Sequence, residues 1–107
     1  MTRPRGDCFP AATKLATESD TPLTVVHARI TPVLGPLTGV THWHAWCESV
    51  EDNMVLGHSQ GKRLPMPIPA YYALARVGEH EYHRYTAGEA MGHVWRSGHW
   101  GPWEETQ

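Results

Sequence analysis

A chain of 107 residues, 40% hydrophobic and 19% charged with no long polar tract, has the makings of one folded domain with a modest core. The formal charge is −2, and basic residues gather only at Arg3/Arg5 and Lys62-Arg63, so the basic face of a general nucleic-acid binder is missing. No apolar run approaches the roughly 20 residues of a membrane span, and the opening Met1-Thr2-Arg3-Pro4-Arg5-Gly6-Asp7-Cys8 carries charge without the apolar centre of a signal peptide.

Two cysteines, Cys8 and Cys47, are fewer than a stapled secreted scaffold of this size carries. The expectation is a reducing, cytoplasmic setting with both thiols free, no membrane or nucleic-acid partner, and no cofactor.

Residues 1–6 read as a flexible leader and 7–107 as a single domain. Asp7 suits an N-cap, and Cys8, Ala11, Ala12, Leu15 and Ala16 recur at helical spacing. This predicts a helix from Cys8 to Glu18, with Pro10 tolerated in a first turn whose amides lack intrahelical partners. Leu23 to Thr31 reads as a strand around Val25, Val26 and Ile30, and the prolines and glycines of 32–39 as a connection.

The densest stretch follows, Val40-Thr41-His42-Trp43-His44-Ala45-Trp46-Cys47-Glu48. β-Branched and aromatic residues dominate it, which predicts a strand from Val40 to Ser49. Alternation places His42, His44 and Trp46 on one face and Trp43, Ala45 and Cys47 on the other. Two imidazoles and an indole are costly to bury without partners, so their face is the candidate site.

A turn near Glu51-Asp52 leads to a third strand, 53–58, and then to a polar loop, 57–63. Pro65, Pro67 and Pro69 alternate with Leu64, Met66 and Ile68 and force an extended path into a short helix over 70–76, with Gly78 past its end. His80 to Tyr85 reads as a last strand, exposed on one side, whose edge could pair with a second copy to give a homodimer. Thr86 and Glu89 form a capping box for a final helix along Ala90, Met91, Val94 and Trp95, with Gly98 as its stop. The closing Gly98-His99-Trp100-Gly101-Pro102-Trp103 reads as an aromatic clasp over the core. The order predicts an α+β domain: an N-terminal helix packed on a mostly antiparallel sheet of about four strands, with two further short helices.

A cysteine at a helix start followed by a histidine on a strand is the raw material of thiol catalysis. The helix dipole favours thiolate, an imidazole moves the proton, and amides at the helix start hold an oxyanion. The competing reading of Cys8 is a small buried hydrophobe, and of His44 a core histidine satisfied by backbone groups. Zinc is a further alternative: Cys8, His42, His44 and Cys47 are ligand types, although Cys47 points away from the histidines and the spacing matches no standard finger.

The order of Cys8 and His44-Ala45-Trp46 resembles papain-like and transglutaminase-like cysteine proteins. More closely, the chain is similar to small uncharacterised proteins of actinobacteria and their phages, over about residues 25–103. Those share a His-Ala-Trp strand, a Ser-Asn-Gly-like loop (here Ser59-Gln60-Gly61), and a Tyr-Tyr-Ala-Leu helix (Tyr71-Tyr72-Ala73-Leu74). They also share an Arg-Tyr-Thr helix start (Arg84-Tyr85-Thr86) and a Gly-His-Tyr-Gly-Pro-Trp ending, here Gly98 to Trp103. The wider resemblance implies an Asp or Asn on the strand after the histidine, to orient the imidazole. Gly57 stands in that place, leaving Asn53, Glu48, Gln60 and His58 as candidate substitutes, and His42 and Trp46 as further groups for the site.

Two functions follow. The first is a cysteine-dependent hydrolase or transferase of amide, isopeptide or thioester bonds in a peptide or protein substrate, with Cys8 attacking and His44 as base and then acid. The second is a non-catalytic protein-binding domain on the same scaffold, a phage-encoded modulator of a host protein, binding through exposed aromatics and histidines.

Overall fold

In the computed structural model, which describes residues 8–57 and 65–103, two helices pack on one face of a five-stranded sheet and a third helix on the other. The chain order is α1 (Cys8–Glu18), β1 (Thr24–Ile30), β2 (His42–Ser49), β3 (Met54–Leu56), β4 (Met66–Pro67), α2 (Ile68–Ala75), β5 (Tyr82–Thr86) and α3 (Ala87–Ser97). Every pairing is antiparallel and the strands lie in the order β4-β3-β2-β1-β5. The α+β class holds. The strand beyond the expected four is β4, two residues of the proline-alternating segment paired to Met54 and Val55. Pro67 cannot donate to a ladder, and its place in an edge strand follows from that.

The two faces of β1 and β2 carry separate cores. Val25, Ala45 and Cys47 join Phe9, Ala12, Ala16, Leu23, Tyr85 and Ala90 under α1 and α3. Val26, Ala28, Ile30 and Trp46 join Val55, Tyr71 and Ala75 under α2. The near-continuous burial of β1 reflects this two-sided cover, as a central strand requires.

α1 occupies the predicted span, but its buried stripe is Phe9, Ala12, Thr13 and Ala16, while Ala11 is exposed. The stripe is turned by about one residue because the Phe9 ring docks edge-on against His27, with centroids 4.7 Å apart. Cys8 and Leu15 are thereby moved from the centre of the stripe to its flank, half-buried. The expected N-cap, Asp7, lies outside the described residues.

The capping box of α3 is present in both directions: Glu89 N donates to Thr86 Oγ1 at 3.0 Å, and Thr86 N donates to Glu89 Oε1 at 2.9 Å. Gly98 closes the helix in the left-handed region, φ 78°. α2 begins two residues earlier than expected, and its left-handed cap is Arg76 (φ 57°) rather than the anticipated glycine. The C-terminal segment folds onto the α1-side core, with Trp100 and Trp103 packed against it and Trp103 Nε1 donating to His99 O at 2.9 Å.

Candidate functional site

β2 presents its imidazoles as the alternation requires. The His42 and His44 ring centroids are 6.0 Å apart, His44 and Trp46 are again 6.0 Å apart, and Trp46 meets Tyr71 of α2 edge-on at 5.0 Å. The four rings form a file on the α2 side of the sheet. At one end His42 Nδ1 lies 2.9 Å from Val40 O. A carbonyl only accepts, so that nitrogen carries the proton.

At the other end the Trp46 indole donates to Glu48 Oε2 at 3.1 Å. Glu48 is 3% exposed. Its carboxylate also accepts from the Tyr72 hydroxyl and pairs with Arg84 Nε at 3.5 Å, while Arg84 donates in turn to the Tyr72 oxygen. A buried carboxylate is tolerable only with such partners.

α1 fixes where Cys8 lies along β2. Cys47 Sγ donates to Ala12 O at 3.0 Å, and Phe9 sits against His27, whose cross-strand partner is Ala45. The helix therefore runs in the same sense as β2. Four helical residues separate Cys8 from Ala12, ~6 Å of rise, which is about two residues of strand. Cys8 is thus level with Ala45 and its neighbour His44. The flank is fixed by Leu15, seven residues on and so on the same side of the helix, which reaches Gly57 beyond β3: a Cβ there would stand 3.3 Å from Leu15 Cδ2. The Cys8 flank accordingly faces the outer edge of β2. Among the described residues the only part of β2 that β3 pairs with is Cys47, Glu48 and Ser49.

Cys8 packs against the α1-side cluster, whereas His44 belongs to the row facing α2. Any meeting of the two would have to pass around the edge of β2, because the sheet itself lies between those clusters. Tyr71 lies on the α2 side, edge-on to Trp46, and its hydroxyl is held well above the ordinary phenol range by burial first, then by the charges that Cys8 and Glu48 can carry. Tyr71 is a site neighbour that the sequence reading missed, although the Tyr71-Tyr72 pair at the head of a short helix was its visible signal.

The remaining candidates separate cleanly. Cys47 is fully buried on the α1 side, and burial pushes its thiol up to about 12. It is a protonated packing group. Among the described residues no three His, Cys, Asp or Glu side chains are grouped to hold a metal ion, and the suggested zinc set is split between the two faces of β2. Asn53 occupies the β2–β3 turn with φ 56° and gives its carbonyl to Ile68 N at 3.1 Å. It is adjacent to the Met54–Ser49 pair, at the far end of β2 from His44. The structure does not bring it to the imidazole. His58 and Gln60 lie outside the described residues. Glu48 reaches the site only through Trp46.

No helix among the described residues is long and apolar enough to cross a membrane. Comparison with protein-family models, with curated proteins and with solved structures finds no match to this chain.

Proposed function

We propose that the protein is a small cysteine-dependent hydrolase or transferase acting on an amide, isopeptide or thioester bond, with Cys8 as nucleophile and His44 as its base. The observation that supports this reading is how α1 lies on β2: Cys47 Sγ donates to Ala12 O, one helical turn after Cys8, Leu15 reaches Gly57 from the Cys8 flank, and among the described residues β3 pairs with β2 only at 47–49. The helix start adds its own bias, because first-turn N–H groups and the dipole favour thiolate and an oxyanion there.

In the reaction, His44 takes the Cys8 proton as sulfur bonds to the substrate carbonyl carbon. The tetrahedral oxyanion is held by helix-start amides. It collapses with loss of the amine or thiol, which leaves carrying the proton that His44 returns. Water then cleaves the thioester and regenerates the thiol, or an acceptor amine takes the acyl group instead.

A second reading, the protein-binding domain, is favoured by the β1–β2 connection, which exposes Val33, Leu34, Leu37 and Val40 together. Exposure to an activated acyl thioester, followed by intact-mass and peptide mapping, separates the two. The enzyme reading expects one acyl group on Cys8, absent in Cys8→Ser and turned over with time in the wild type. Modification of no cysteine would leave the binding domain.

A further inference from the structure

The C-terminal clasp, residues 98–103, rests on the α1 side of the sheet through its rings. Trp103 lies tilted over His27 with centroids 4.7 Å apart, meets Tyr85 edge-on at 5.1 Å and stacks on His93 of α3 at 4.7 Å. Two of its hydrogen bonds close on the segment itself: Gly101 N donates to His99 Nδ1 at 3.1 Å, and Trp103 Nε1 to His99 O at 2.9 Å. Underneath, the His27 imidazole is fully buried, with Phe9 edge-on at 4.7 Å and Tyr85 at 5.2 Å. Gly101 covers it so closely that a Cβ there would stand 2.5 Å from the ring Cε1, and 3.4 Å from Phe9 Cδ1.

Such an enclosure suits a neutral ring. Both nitrogens of an imidazolium are donors, and a buried charge needs acceptors or a counter-ion. Among the described residues, the titratable groups around His27 supply neither. β5 brings His83, directly across the ladder, and Tyr85; His83 pairs with Glu81 at 3.3 Å. α3 brings His93, and the clasp brings His99. α1 has Cys8 beside Phe9, and Lys14 over the Trp100 ring. On the same face β2 carries the protonated Cys47 thiol, and β1 itself carries Arg29 two residues on.

We infer that the clasp is an acid-released latch with His27 as its sensor: protonation of the ring expels residues 98–103 from the α1 side while the sheet stays folded, uncovering Phe9 at the first turn of α1. The clasp gives way because β1 is held by ladders on both sides, to β2 and to β5, whereas the clasp is held on the sheet by packed rings. His99 adds to the release, since a protonated Nδ1 no longer accepts from Gly101 N. A charge on His93 works the other way, over the face of Trp103. The latch operates whether or not Cys8 is a nucleophile. With the clasp closed, burial and the charges of His83 and His93 lower the His27 pKa to about 3, and an uncovered ring returns towards 6.5. The opening constant therefore rises as pH falls below 6.5, by about thirtyfold between pH 7.5 and 5.0.

The test follows hydrogen exchange of the Gly101 amide and the Trp103 indole N–H by NMR in the full chain at pH 7.5 and 5.0, corrected for intrinsic exchange, beside the amides of β1 and β2. Once undocked, so short a segment does not keep its internal bonds against water, so both protons report release. The expected result is a rise of about thirtyfold in the opening constant of the clasp on acidification, with β1 and β2 far more strongly protected than the clasp at pH 5.0. In His27→Phe the clasp stays docked and most of the rise is lost; if the larger ring overfills the site, His27→Leu should give the same loss. An opening constant unchanged between the two pH values overturns the inference. So does a rise of wild-type size in a folded His27 variant. Clasp protons protected at pH 5.0 as strongly as β1 and β2 overturn it as well, because the clasp would then open only with the whole fold.

Discussion

Gly101 lies so close to His27 that a Cβ at position 101 would stand 2.5 Å from the imidazole Cε1 and 3.0 Å from Nδ1. The C-terminal clasp thereby seals a histidine that is 0% exposed and ringed by Phe9, Tyr85 and Trp103. Gly101 also has φ +112°, where a side chain is strained in any surroundings. Gly101→Ala should therefore cost about 2–4 kcal/mol, the sum of overpacking and backbone strain. Urea unfolding measures this, and a change under about 0.5 kcal/mol would mean that the clasp does not close on His27.

Neither ring nitrogen of His27 has a hydrogen-bond partner among the described residues. Burial first, then the charges of His83 and His93, lower its pKa to about 3 from 6.5. The unfolded chain thus binds this proton more readily than the folded one. Stability from this group is fully present above pH 6.5 and falls as pH drops from 6.5 towards 3. Between pH 6.5 and 5 the loss is about 2 kcal/mol from this one residue. Equilibrium unfolding at a series of pH values should show that slope in the wild type and a flatter one in His27→Phe. Parallel slopes in the two proteins would place the proton uptake elsewhere.

Thr13 presents a second orphan. Its hydroxyl is fully buried without a hydrogen-bond partner among the described residues. Thr13→Val removes the unsatisfied group at nearly constant volume and should stabilise by about 1 kcal/mol, raising Tm by roughly 4–8 °C. A fall in Tm would show that the hydroxyl is satisfied in solution.

The Glu48 cluster should behave differently, because removing one partner strands the rest. Glu48→Leu leaves the Trp46 indole N–H, the Tyr72 hydroxyl and Arg84 without their acceptor. Losing the carboxylate should cost about 3–5 kcal/mol, and Glu48→Gln distinctly less. Equal losses for the two would show that charge, not hydrogen bonding, holds the cluster together.

Much of this molecule is legible in its sequence, where local pattern and tertiary outcome agree. α1 begins and ends as its spacing requires, the Thr86/Glu89 box caps α3, and alternation along β2 places His42, His44 and Trp46 in one row. What the pattern conceals depends on contacts distant in the chain. The buried stripe of α1 is set by Phe9 finding His27, which no helical periodicity reveals. Glu48 reads as a polar flank to a hairpin, and its burial follows only because α2 and β5 bring Tyr72 and Arg84 over it. β4 is hidden because a two-residue strand containing proline leaves almost no trace of period two. His27 was visible as the middle of Val25, His27 and Arg29 on one face of β1, yet nothing local said that a glycine some seventy residues later would close over it.

The proposed reaction requires Cys8 and His44 to work as a pair. The direct measurement is the rate of iodoacetamide labelling at Cys8 between pH 5 and 10, in the wild type and in His44→Ala, with Cys47 as an internal control whose buried thiol, pushed up to about 12, should label only on unfolding. The pair predicts fast labelling of Cys8 well below the free-thiol pKa of about 8.5, and a rise to ordinary thiol behaviour when the imidazole is removed. Ordinary thiol behaviour in both proteins would contradict it, and the exposed apolar connection between β1 and β2 would then be the place to look for function.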